Sequence, residues 1–261
     1  MRKIHVIGIG AGDPDQLTLQ ALKALKSTDV FFVLDKGEVK SDLTQLRHGL
    51  LEAHLPDGGY RLVAARDPER DRAAGGAAYS PAVDDWRSAR AGIYERLIAE
   101  ELGEDESGAF LAWGDPALDD STLGILKEVL QRGAVTVSYD VVPGISSVSA
   151  LVAKHRTGLN RVARPVQITT GRRLAEGFPE GVDDVVVMLD AHQAFQRYAD
   201  QDIDIYWGAY IGTPDEILVS GPLAETAERI GRLRAEARER KGWIMDTYLL
   251  RRHPRGGGAA E

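Results

Sequence analysis

The chain has 261 residues, 43% of them hydrophobic and 28% charged, the make-up of an ordinary soluble globule of one large or two small domains. It carries 32 basic and 40 acidic side chains, a formal charge of −8, and no cysteine. The acidic balance demotes bulk-electrostatic binding of nucleic acid, and the missing thiols exclude a disulfide framework, a thiolate metal site and thiol chemistry.

The longest apolar runs, at 30–34, 109–113 and 185–189, are five residues long, where a membrane helix needs about 20. Met1-Arg2-Lys3 leads straight into a strand-like run with no secretory hydrophobic segment. The expectation is a cytoplasmic protein with neither a membrane nor a nucleic-acid partner.

Residues 4–9 read as a strand that ends in glycines, and Thr18 is placed to cap a helix with Leu19, Leu22 and Leu25 at helical spacing. Strands are expected over 30–34, 61–65, 109–113 and 135–142. Helices are expected over 84–102, with Ile93, Leu97 and Ile98 on one side, over 122–131, with Leu123, Leu126, Val129 and Leu130 recurring, and from about Ser146. This alternation predicts a mostly parallel sheet covered by helices. Further on, strands at 166–170, 185–189, 203–211, 217–219 and 244–250 outnumber helices at 193–200 and 224–241, so some of them must pair antiparallel. The fold class is therefore α/β in two domains. The N-terminal one spans 1–156 with a mostly parallel sheet, and the C-terminal one spans 165–252 with a mixed sheet. Gly, Asn and Pro break the pattern in a linker over 156–165. Residues 66–81 show no periodicity and read as a long mobile loop of the kind that forms lids or binding loops; 253–261 reads as a disordered tail.

Three glycine-bearing loops follow predicted strands. Gly8-Ile9-Gly10-Ala11-Gly12-Asp13-Pro14 follows the first, Gly114-Asp115-Pro116 the fourth, and Pro143-Gly144-Ile145-Ser146-Ser147 the fifth. Open α/β sheets bind ligands outside the carboxyl ends of their strands, so the three loops together predict a ligand site. The first loop is G-x-G-x-G, not the G-x-G-x-x-G dinucleotide fingerprint, which weakens a nicotinamide-dependent oxidoreductase even though an acid, Asp35, closes the second strand. Asp115 suits either a hydrogen bond to a ligand hydroxyl or amine, or a turn. No two of the six histidines form an H-x-x-x-H pair, so no metal site is expected. Residues 154–173 hold Lys154, Arg156, Arg161, Arg164, Arg172 and Arg173 and no acid, a local +6 that would draw in carboxylates.

Together with Leu17-Thr18, the three loops in this order resemble the tetrapyrrole (uroporphyrinogen/precorrin) methyltransferase family, over about residues 2–252. Leu34-Asp35-Lys36-Gly37, Arg66-Asp67-Pro68, Trp113-Gly114-Asp115-Pro116, Asp120-Ser121-Thr122 and Tyr206-Trp207-Gly208-Ala209-Tyr210 resemble that family's deacetylating branch. The resemblance implies S-adenosylmethionine folded in the cleft between two α/β domains, usually in a homodimer. It implies methylation of precorrin-5 at C-1 with loss of the acetyl group as acetate, giving precorrin-6A in aerobic cobalamin synthesis. It also implies cofactor contacts at Ala11, Asp115, Leu118, Ser121, Thr122, Ser146, Ser147, Leu189, Gly212, Thr213 and Met245. Two positions depart from the pattern: Asp119 stands where many relatives carry an aromatic residue, and Gly124 where this branch carries arginine.

A sulfonium donor is already activated, so the protein has mainly to position it, an effect worth about 7–11 kcal/mol. A polycarboxylate acceptor calls for guanidinium and ammonium groups, and Lys36, Arg47, Arg66, Arg164 and Arg172 are the candidates. Expelling an acetyl group calls for a base, and Asp35, Asp119, His192, Tyr210 and Asp246 all sit in or near expected strand-end loops. The rival readings are a methyltransferase of the same fold acting on another precorrin, diphthamide or ribosomal RNA, and a non-catalytic tetrapyrrole carrier, which would need no S-adenosylmethionine.

Overall fold

The computed structural model describes residues 1–35, 41–69 and 79–253, and the chain divides into two units, Met1–Ser146 and Ser147–Glu261. The first unit runs β1 (Lys3–Gly8), α1 (Leu19–Lys26), β2 (Val30–Asp35), α2 (Ser41–His54), β3 (Arg61–Arg66), α3 (Tyr79–Glu101), β4 (Ser107–Ala112), α4 (Thr122–Arg132) and β5 (Ser138–Val142). Its strands pair in the order β3-β2-β4-β1-β5, every pair parallel. Helices cover both faces, so side chains of both parities are buried along the inner strands. Ile4, Val6, Phe32 and Phe110 pack against Tyr94, Leu97 and Ile98 of α3 and Ile125, Leu126 and Val129 of α4. Ile7, Phe31, Ala109 and Leu111 pack on the other side against Leu25 of α1 and Leu51 of α2.

The structure adjusts several expected elements. Thr18 caps α1, its Oγ1 accepting from Ala21 N at 3.0 Å, but the buried residues of that helix are Ala21, Ala24 and Leu25, and Leu19 is exposed. A strict three-residue repeat turns about 60° off the core face at each step, so Leu19, Leu22 and Leu25 cannot all face inward. β5 starts at Ser138; Val135 and Val137 are buried ahead of it without joining the ladder. In the segment expected as a loop over 66–81, Arg66 closes β3 and Tyr79 opens α3, while 70–78 lie outside the described residues. So do 254–261, most of the expected tail.

The second unit runs α5 (Ser147–Lys154), β6 (Val166–Thr170), α6 (Gly171–Glu176), β7 (Asp184–Met188), β8 (Ile203–Ala209), β9 (Ile217–Pro222), α7 (Leu223–Lys241) and β10 (Asp246–Arg252). The helix expected over 193–200 is a short 3-10 segment, Ala194–Tyr198. α5 groups with this unit, ahead of the break expected at 156–165, because Ala150 and Leu151 bury against Ile211. The sheet order is β6-β7-β10-β8-β9. β6 and β7 are parallel, whereas β10 runs antiparallel to both β7 and β8. This is the mixed sheet expected from the excess of strands. Its register pairs Asp246 with Ala209 and Tyr248 with Val187, so the ends of β7 and β8 and the start of β10 share one sheet edge. Among the described residues no helix is long and apolar enough to cross a membrane.

Candidate active site

In the first unit β4, β1 and β5 are neighbours, so the three glycine-bearing loops lie side by side at their carboxyl ends. Gly10 N donates to Gly114 O at 3.2 Å, and Gly114 N donates to Gly10 O at 2.8 Å. A Cβ at Gly8 would lie 2.6 Å from Gly144 N and 3.0 Å from Gly114 O, and a Cβ at Gly144 would overlap Gly114 O. Backbone therefore packs directly on backbone, and only glycine allows it. Asp115 Oδ1 accepts from Gly144 N at 3.3 Å and ties the third loop to the second. The product is a floor of close-set main chain at the carboxyl edge, in which Gly8, Gly10 and Gly114 are themselves buried.

The side chains expected at a cofactor here differ in what they present. Asp115, Leu118, Ser121 and Ser146 are half-buried, and Asp115 touches this floor at Gly144 N. Ala11 is 1% exposed, main chain included. Thr122 is buried, and its N–H is taken by Asp120 Oδ1 at 2.7 Å. Small polar groups and one apolar side chain on loops at the carboxyl edge suit a small-molecule ligand.

A group of arginines surrounds the start of α4. Arg90 is buried. It pairs with Asp67 at 2.7 Å, donates from Nη1 to Ser121 Oγ at 3.0 Å and lies 4.8 Å from the Trp86 ring. Trp86 Nε1 in turn donates to Pro68 O at 3.1 Å. Arg47 lies 5.8 Å over the Trp113 ring and reaches Leu43 O at 3.4 Å. Burial pushes the Arg47 pKa down, while the nearby Asp120 charge works against that shift. The space that a side chain at position 124 would need is occupied by the end of Arg87. Sequence reasoning passed over Trp86, Arg87 and Arg90. The available signal was an aromatic residue and two arginines one turn apart on a helix, downstream of Arg66-Asp67-Pro68.

The other basic candidates are more exposed. Arg66 is 86% exposed and faces Glu69 at 3.8 Å. Lys36 lies outside the described residues. Within the +6 stretch of the second unit, Lys154 pairs with Glu216 at 3.6 Å, Arg161 with Asp184 at 3.6 Å and Arg173 with Glu176 at 3.1 Å. Part of that charge is therefore met locally; Arg156, Arg164 and Arg172 are exposed.

The second unit gathers its own candidates at the shared edge of β7, β10 and β8. Leu189, just past β7, is an apolar side chain 70% exposed on a backbone at φ +54°. Gln193 and Tyr210 are also left-handed, at φ +53° and +50°. Such residues cost about 1–3 kcal/mol each and cluster where function demands them. Gly212 N donates to Glu216 Oε1 at 2.9 Å, Thr213 Oγ1 donates to Tyr210 O at 2.7 Å, and Tyr210 N donates to Met245 O at 2.9 Å. These bonds fix the turn after β8 against the start of β10. Ser147 opens α5 and is half-buried.

The five candidate bases divide by environment. Tyr210 is buried, donates to Trp243 O at 2.6 Å, and has its pKa raised by burial. Asp246 Oδ2 accepts from Trp207 Nε1 at 2.9 Å and Arg234 Nε at 3.1 Å, and burial raises its pKa. Both groups are tied into the frame of the second sheet. Asp35 at the end of β2, Asp119 at φ +50° and His192 are exposed.

The sequence pattern of the tetrapyrrole (corrin/porphyrin) methylases matches residues 3–227. The chain is 51% identical over 252 residues to a precorrin-6A synthase [deacetylating] of a Sinorhizobium species, covering 97% of this chain and 96% of that protein. A solved structure from Corynebacterium diphtheriae, described as related to cobalamin synthesis, superposes with a TM-score of 0.83 at 37% identity, over 96% of this chain and 98% of that one. A uroporphyrin-III C-methyltransferase of Thermus thermophilus, solved with S-adenosyl homocysteine, shares the fold with a TM-score of 0.55 at 18% identity, over 95% of this chain and 96% of that one.

Proposed function

The chain belongs to the tetrapyrrole (corrin/porphyrin) methylase family, and from that premise we propose that it methylates C-1 of precorrin-5 from S-adenosylmethionine, expels the acetyl group as acetate, and so makes precorrin-6A in aerobic cobalamin biosynthesis. The observation that carries the reading is 51% identity to a precorrin-6A synthase [deacetylating] along 97% of the chain. The meeting of the three glycine-bearing loops at the carboxyl ends of β4, β1 and β5 supports it, because that edge is where open α/β sheets bind ligands.

S-adenosylmethionine, when bound, supplies an activated methyl group. In the first unit Ala11, Asp115, Leu118, Ser121, Thr122 and Ser146 are the residues that would hold it. Ser147, Leu189, Gly212, Thr213 and Met245 are the candidates in the second unit. The work of these residues is orientation, which needs no nucleophile from the chain. Arg47 and Arg66 in the first unit and Arg164 and Arg172 in the second are the candidates for binding the acceptor's carboxylates, as is Lys36, which lies outside the described residues. Loss of the acetyl group needs water to attack its carbonyl while a base takes the water proton. Acetate then leaves, and the ring carbon keeps the electron pair that accepts the methyl. Asp35, Asp119 and His192 are the bases whose exposure leaves them able to meet water, whereas Tyr210 and Asp246 act by holding the edge of the second sheet. A homodimer and a cytoplasmic location, both implied by the resemblance, belong to the same proposal.

Calorimetric titration with S-adenosylhomocysteine tests the cofactor half. One site per chain at micromolar affinity or better is expected. Absence of binding by the folded protein would replace this reading with a tetrapyrrole carrier.

A further inference from the structure

Arg87 and Arg90 meet the first turn of α4, Arg47 feels the charge of Asp120 just before it, and the three differ in what neutralises them. Arg90 is taken up by Asp67 and Ser121. Arg47 is partly compensated by the charge of Asp120. Arg87, one turn before Arg90 on α3, is half-buried and lies against Gly124, one turn past Ser121 on α4. It has no ion-pair or hydrogen-bond partner among the described residues.

A guanidinium carries five donors in a rigid fork. Partly withdrawing it from water without a partner is unfavourable unless something else uses those donors. The position is also built for it. A side chain at 124 would run into the end of Arg87, so glycine in the first turn of α4, which costs helix stability, keeps the place open. The site lies beside the Asp120-Ser121-Thr122 turn, at the carboxyl edge where the glycine-bearing loops meet.

We propose that Arg87 binds a peripheral carboxylate of the tetrapyrrole acceptor, and that Gly124 is the space-making residue that lets it do so. This rests on the methyltransferase reading for the identity of the acceptor. The fork geometry of Arg suits two-point recognition of a carboxylate, and a lysine would supply charge without it.

The test uses the full chain and uroporphyrin I, an octacarboxylate, followed by fluorescence, with its octamethyl ester as the uncharged control. Calorimetry with S-adenosylhomocysteine is run on the same preparations. Arg87→Gln should weaken uroporphyrin binding by about 10-fold or more, the worth of a charge-assisted contact. Arg87→Lys should recover part of that loss. Gly124→Ala, whose added methyl meets only the end of a flexible side chain and whose helix propensity is better, should fold normally and weaken uroporphyrin about 3- to 10-fold. Affinity for S-adenosylhomocysteine and for the ester should stay within about twofold in every variant. Unchanged uroporphyrin binding in Arg87→Gln and Gly124→Ala, an equal loss for acid and ester, or no saturable binding by the wild type would each overturn the proposal. Failure of the wild type to bind S-adenosylhomocysteine would count against the methyltransferase reading and is read separately.

Discussion

Gly144 has no room for a methyl group. Its Cβ would overlap Gly114 O and lie 2.9 Å from Gly8 Cα, and both obstacles are main chain that cannot swing aside. Gly144→Ala should therefore cost at least about 1–3 kcal/mol, as overpacking does. It should also push the third loop off the floor. Thermal unfolding should show a lowered Tm together with weakened S-adenosylhomocysteine binding; an unchanged Tm would mean that the loops are not held as described. At this scale the sequence was legible where a motif names the residue. Asp115 and Ser121 were singled out that way, and Asp115 joins the second glycine-bearing loop to the third. It was not legible where a partner decides the role. Tyr210 and Asp246 stand at strand ends, as a base should, but their polar atoms are satisfied by Trp243, Trp207 and Arg234, and nothing local in the sequence announces those contacts. Arg87 and Arg90 were hidden for the same reason: spacing puts them on one side of α3 without saying that one meets Asp67 and the other Gly124.

Elements are fixed to one another by a few ion pairs at their ends, and one of these predicts acid behaviour. Arg61 at the start of β3 donates to both oxygens of Glu106, just before β4, at 2.8 Å each. That side-chain bond, followed by the N–H of Gly103, lowers the Glu106 pKa to about 2. A carboxyl whose folded pKa lies below its unfolded value of about 4.3 stabilises the fold above that value, and the contribution is lost as pH falls through the folded pKa. Glu106→Gln should flatten the loss of stability between about pH 4.5 and pH 2 relative to wild type. Urea unfolding at stepped pH reads this, and an identical acid limb in the variant would contradict it. Strands were the most legible elements, because parallel strands buried on both faces carry unbroken apolar runs. Helix α2 was missed although Leu43, Leu46 and Leu50 keep helical spacing, since polar residues dilute the run and only Leu50 and Leu51 are buried. The edge shared by β7, β10 and β8 was out of reach: the antiparallel insertion of β10 is a tertiary pairing that sequence order does not reveal.

For the molecule as a whole, fold class and family were readable because three loops distributed over 8–14, 114–116 and 143–147 must all follow strands for the pattern to make sense, and the sheet order β4-β1-β5 makes those strands neighbours. Net charge said less, since the −8 total conceals the arginines grouped at the mouth of α4. The proposed function requires one active site to couple loss of acetate to methylation. Incubating the protein with precorrin-5 and isotopically methyl-labelled S-adenosylmethionine, and counting acetate released against methyl incorporated, tests it most directly. The account predicts one acetate for each methyl transferred, with precorrin-6A as the product. Methyl incorporation without acetate, or no turnover by a preparation that binds S-adenosylhomocysteine, would contradict it.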